Sequence, residues 1–149
     1  MKNCYSRPLL LLAGIVVLFA AGLTATAHAD SEKRTQQPRL GQEFDLRVGE
    51  RAVFRKTNLT VKFAAVKEDS RCPSDVTCVW AGNARVELQV TNGRKTKSLT
   101  LNSNTAAPLP ADSTFAGYSV KLVNLNPYPL SKRPVARGSY VIRLIVSKN

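Results

Sequence analysis

The chain has 149 residues, of which 22 are Lys or Arg and 10 are Asp or Glu, a formal net charge of +12, and 44% are hydrophobic. One domain is the natural expectation at that length, and the basic excess bears on the choice of partner rather than on the fold. The only His is His28 and the only Met is Met1. Beyond residue 29 this excludes His-based general base catalysis, Ser-His-Asp and Cys-His nucleophile systems, His-containing zinc sites and thioether copper sites.

The chain opens with MKNCYSRP, then the apolar run LLLLAGIVVLFAAGLTATA, then HAD. Lys2 and Arg7 in a short leading region, the apolar run and the small residues Ala27 and Ala29 describe a secretory signal (residues 1–29) cleaved after Ala29. The run is also about long enough to span a bilayer, so retention as an anchor stays open. No Cys stands at the cleavage point, which speaks against a lipid anchor, and Cys4 leaves with the signal. Removing Lys2 and Arg7 from the 22 basic residues leaves 20 against 10 acidic ones, a net +10 for residues 30–149. The destination is periplasmic or secreted. The bland reading of the charge is solubility; the functional one is an anionic partner.

Residues 30–40, DSEKRTQQPRL, lack periodicity and read as a flexible leader. From residue 41 to residue 149, period-2 alternation dominates, with no helix-length amphipathic pattern. Phe44, Leu46 and Val48 form the first strand, Gly49-Glu50 a turn, Ala52 to Phe54 a short extended piece, and Leu59, Val61, Phe63 and Ala65 the next strand. From Cys78 the even positions Trp80, Gly82, Ala84, Val86, Leu88 and Val90 are apolar or small, while odd positions from Asn83 to Thr91 are polar. Gly82 marks a bulge or a close approach. Asn92-Gly93 is a strong hairpin signal. Used as both turn positions, it sets Val86 opposite Leu99 and Ala84 opposite Leu101. It then sends a tip bearing Arg94, Lys95 and Lys97 into solvent.

Residues 102–117 read as a long connection rich in Pro, Ser and Asn. Tyr118, Val120 and Leu122, followed by Val123 and Leu125, make a strand whose apolar phase shifts at a bulge. Residues 126–139 form a second long, Pro-containing basic loop, with Lys132, Arg133 and Arg137. Tyr140, Ile142, Leu144 and Val146 make the last strand. Six to seven strands, two long loops and no helix amount to an all-β, antiparallel sandwich or small barrel, the sandwich being the first choice.

Cys72 and Cys78 are the cysteines left after export. Five residues separate them, too many for a thioredoxin-like redox pair, and the four-cysteine zinc pattern is absent. A structural disulfide is the leading reading, ahead of a redox or metal role. Trp80 reads as a packing residue beside the staple rather than a ligand-stacking surface. The acids Glu68, Asp69 and Asp75 match no EF-hand-type calcium loop, and pairing of Asp69 or Asp75 with Arg71, or capping of the loop's own amides, is the better expectation. No metal, cofactor or catalytic pair stands out.

The stretch Glu68 to Gly82, E-D-S-R-C-P-x4-C-x-W-A-G, resembles a motif of small exported bacterial proteins to which no activity is attached. That resemblance implies export, the disulfide and a β-rich domain. The functional expectation is a non-enzymatic binding module whose basic surface meets an anionic envelope polymer, a membrane surface or an acidic protein. Its candidate contacts are Arg71, Asp75, Trp80, Arg94, Lys95, Lys97, Lys132, Arg133 and Arg137. The alternative is an inhibitor or adaptor that presents the stapled 72–78 loop to a protein. Specific nucleic-acid recognition is not expected, because no basic motif is interleaved with aromatics.

Overall fold

The computed structural model describes residues 34–104 and 110–149. The signal segment, the start of the leader and part of the 102–117 connection lie outside these residues. Ser31–Asn149 makes one compact unit.

Alternation builds two sheets. One has five strands in the order β1 (Thr35–Gln36), β3 (Arg51–Val53), β4 (Leu59–Asp69), β5 (Ala84–Asn92) and β6 (Lys95–Asn102). The other has four, in the order β2 (Glu43–Arg47), β9 (Val141–Lys148), β8 (Tyr118–Asn126) and β7 (Asp112–Phe115). All pairings are antiparallel except β1 with β3. Inward residues of both sheets share one core: Leu46 of β2, Val61 and Phe63 of β4, Val86 and Leu88 of β5, Leu101 of β6, Ile142 and Leu144 of β9. Phe44 meets Phe54 edge to face at 5.7 Å, joining β2 to the turn after β3. A sandwich is the solution that buries both apolar faces at once.

Four expectations need correcting in detail. Among the described residues there are nine strands rather than six to seven, because two short ones lie where the sequence carries no alternation. One is β1, recruited from the leader alongside β3; the other is β7, from the end of the 102–117 connection. The β5–β6 hairpin is also slid by two residues. Asn92 pairs with Lys95, so Gly93 and Arg94 form the turn, and Gly93 alone of the two has positive φ, at 58°. That is the type II′ pattern. A two-residue slide keeps every side chain on its face, and Leu88 now meets Leu99 while Val86 meets Leu101.

The tip does not protrude freely. Leu59 pairs with Asn92, and the Gly93 N–H donates to the Asn58 carbonyl at 3.0 Å, holding the tip against the β3–β4 turn. Finally, β5 starts at Ala84, so the expected apolar face does not extend back through Trp80 to Cys78. The bulge in β8 falls between Leu122 and Asn124, at the expected phase shift.

Candidate functional site

β4 and β5 run on past their ends as a narrowing pair of backbone segments. The Ser70 N–H donates to the Asn83 carbonyl at 2.7 Å, and the Cys72 N–H to the Ala81 carbonyl at 3.0 Å. Gly82 sits between them at φ +69°, and a Cβ there would lie 1.8 Å from the Ser70 carbonyl oxygen. Only glycine fits. Beyond this neck, Cys72 and Cys78 close the loop as a disulfide. A disulfide fits an oxidising, non-cytoplasmic compartment.

Arg71 is the hub of this end of the molecule. Its side chain is 4% exposed and that of Asp69 is 8%. Nε and Nη2 donate to the two Asp69 oxygens at 2.8 and 2.7 Å. Nη1 donates to the Leu125 carbonyl, and Nη2 also to the Pro127 carbonyl at 2.7 Å. The Tyr128 ring lies over the guanidinium, 4.5 Å from its centre. The Tyr140 hydroxyl donates to Asp69 at 3.0 Å. Burial works against the Asp69 charge, yet hydrogen bonds from Arg71 and Tyr140 and the Arg71 charge leave its carboxyl below the ordinary 3.8. Burial, then the Asp69 hydrogen bond and charge, pushes Tyr140 up to about 12. This is a satisfied buried ion pair, and its work is to lock loop 126–139 to the end of β4.

A second set of links ties the two loops together. The Ser74 N–H donates to the Pro129 carbonyl at 3.0 Å. Asp75 accepts from the Ser131 backbone at 2.8 Å and from its hydroxyl at 2.7 Å. Those bonds lower the Asp75 carboxyl below its ordinary value.

The candidate residues therefore separate. Arg71 and Asp75 are both engaged in hydrogen bonds within the molecule, and the expected pairing of Asp69 with Arg71 is present. Trp80, read from sequence as a packing residue, is 82% exposed, and its neighbour Val79 is 92% exposed. Lys132 and Arg133 are exposed beside Ser131, in the second loop. Arg94, Lys95 and Lys97 are exposed as expected, but at the other end of β5. Eight steps of about 3.4 Å from Ala84 to Asn92 set the hairpin turn roughly 27 Å away. Arg137 lies in a single 3₁₀ turn, Arg137–Ser139, and lines a cleft with Val48, Ala65, Val66 and Lys67. The basic residues do not form one patch.

The exposed apolar side chains fall mainly on the two loops. Six large hydrophobics are well exposed among the described residues: Val76, Val79, Trp80, Val123, Tyr128 and Leu130. Five of these, all but Val123, belong to the two cross-bonded loops. Tyr128 and Leu130 drew no attention in the sequence, where they sit within NPYPL, flanked by prolines and outside any periodic run. Among the described residues, no group of three or more His, Cys, Asp or Glu side chains could hold a metal ion. No helix among them is long and apolar enough to cross a membrane. Comparison with protein-family models, with curated proteins and with solved structures returns no match to this chain.

Proposed function

We propose that the protein is an exported, non-enzymatic binding module that docks an acidic protein partner on the braced loop pair, residues 73–80 with 128–133. The observation that carries this reading is the concentration of five of the six exposed large hydrophobics on those two loops. Scattered single apolar residues on a surface mean little, whereas five on two loops bonded to each other support an interaction site. Trp and Tyr are the side chains most enriched among binding anchors.

Rigidity supports the same reading. The Cys72–Cys78 bridge, the Arg71 hub and the Asp75–Ser131 bonds fix the loops before binding, so little ordering cost falls on association. Lys132 and Arg133 at the rim, with the net +10 expected after export, suit a partner with an acidic border. Within the first sequence expectation, a basic surface meeting an anionic polymer or an acidic protein, the polymer has weaker support because the cationic clusters lie at opposite ends of β5. The expected export rests on the N-terminal pattern, and the disulfide accords with it.

The test compares envelope proteins retained by the mature domain with those retained by Trp80→Ala and by Lys95→Gln/Lys97→Gln. A hot-spot indole carries about 2 kcal/mol or more, roughly thirtyfold in Kd. Trp80→Ala should therefore release the partner, and the tip variant should keep it. Retention by Trp80→Ala, or binding to anionic vesicles lacking protein that matches the envelope fraction, would refute the proposal.

A further inference from the structure

A different face of the domain carries an unexplained charge arrangement. On the solvent side of the five-stranded sheet, Arg51 of β3 stands directly opposite Lys62 of β4, Lys62 opposite Gln89 of β5, and Gln89 opposite Ser98 of β6. The next row outward is Thr60, Thr91 and Thr96. Like charges placed opposite one another on a sheet are destabilising. Elsewhere the sheet avoids this: Lys67 pairs with Glu87 at 2.9 Å, and Arg85 with Glu68. Arg51 and Lys62 have no carboxylate partner among the described residues. The nearest acid in sequence to Arg51, Glu50, is turned to the Gln36 amide at 3.3 Å and the Arg47 N–H at 3.0 Å.

Between these side chains is a cleft of about 200 Å³, lined by Arg51, Thr60, Lys62, Gln89 and Thr91. Its lining holds two cations, two hydroxyls and one amide, with no carboxylate. Arg and Lys side chains can only donate hydrogen bonds, hydroxyls can turn to donate, and the Gln amide offers two N–H groups. A guanidinium beside an ammonium, on strands about 4.8 Å apart, suits a small multivalent oxyanion contacted by both. The volume admits a tetrahedral ion with several waters.

We infer that this cleft is a binding site for a phosphate or sulfate group, separate from the loop surface around Trp80. The unpaired cations are then two halves of a site, and the anion relieves their repulsion. Lys95 and Lys97 lie at the same end of the sheet but, by alternation along β6, on the face of Leu99 and Leu101 rather than on that of the cleft. The reading is independent of the proposed protein partner, since no residue is shared.

The test is a titration of the ¹⁵N-labelled domain with inorganic phosphate and, separately, with sulfate, both at constant ionic strength against chloride. Saturable shifts confined to the amides of Thr60, Lys62, Gln89 and Thr91 are expected, and the tighter of the two anions identifies the ester class. Lys62→Gln should bind about threefold to fivefold more weakly, the usual worth of one exposed charge contact. Lys62→Arg should restore binding, and Lys95→Gln/Lys97→Gln should leave it within about twofold. Without added anion, Lys62→Gln should melt no lower than the parent, because a like-charge neighbour has been removed, and phosphate should raise Tm in the parent more than in the variant. Shifts that track chloride equally, or spread without saturation over all basic residues, would overturn the proposal. So would a Lys62→Gln variant that binds phosphate as the parent does, or one that melts lower in its absence.

Discussion

Replacing Arg71 with Met keeps the stem of the side chain and removes its guanidinium. Two charge-assisted bonds to Asp69 disappear, along with the donors to the Leu125 and Pro127 carbonyls. Asp69, whose side chain is 8% exposed, is left charged without its cation. Removing one partner of a buried pair costs about 3–5 kcal/mol, a large part of the 5–15 kcal/mol that holds a typical domain together. With a urea slope of about 1.5 kcal/mol per M, the unfolding midpoint by circular dichroism at pH 7 should fall by about 2–3 M. Acidification should narrow the gap. The Asp69 carboxyl is lowered from 3.8 in the folded state, so its contribution is present above that value and lost as pH falls through the folded one. Without Arg71, burial dominates and this contribution disappears. A midpoint loss of less than about 0.7 M, near 1 kcal/mol at that slope, or a gap that is the same at pH 3 and pH 7, would refute the hub assigned to Arg71.

Other outcomes follow from the same end of the molecule. Gly82→Ala should lose about 3 kcal/mol or more by urea unfolding, because its Cβ would lie 1.8 Å from the Ser70 oxygen. Gly138→Ala, with nothing within 4 Å, should stay within about 0.5 kcal/mol of the parent. Cys72→Ser/Cys78→Ser should lower stability by about 2 kcal/mol through the added freedom of the unfolded chain. Tyr140 is raised from 10.0 to about 12, so the stability it contributes is present below pH 10 and lost between pH 10 and about 12. Alkaline unfolding of Tyr140→Phe should accordingly be less steep over that interval, as followed by circular dichroism.

The strands with strong alternation were legible because a half-buried strand must repeat every two residues. Ala84 to Val90 and Tyr140 to Val146 are of this kind. The two-residue slide of the hairpin was not legible, since Asn92-Gly93 and Gly93-Arg94 both supply a glycine to a tight turn and only packing against β4 distinguishes them. Carrying the parity of β5 back through Gly82 puts Trp80 on the core face. At φ +69° that glycine breaks the extended chain, so parity stops there. Burial of Arg71 depends on carbonyls 54 and 56 residues further on, which no local pattern announces. The exposed cluster was hidden for a related reason. Val79, Trp80, Tyr128 and Leu130 come from two irregular loops joined by the bonds of Arg71, Ser74 and Asp75.

The central claim is that the loop pair, rather than the hairpin tip, is where a protein partner sits. Photo-activatable side chains placed at Val79 and, separately, at Lys97 test it most directly, with crosslinking in the intact envelope and the products resolved by mass. The expected result is one discrete acidic protein joined at position 79 and absent at position 97. Equal crosslinking from both positions, or from position 97 alone, would contradict it, as would products at position 79 consisting only of lipid.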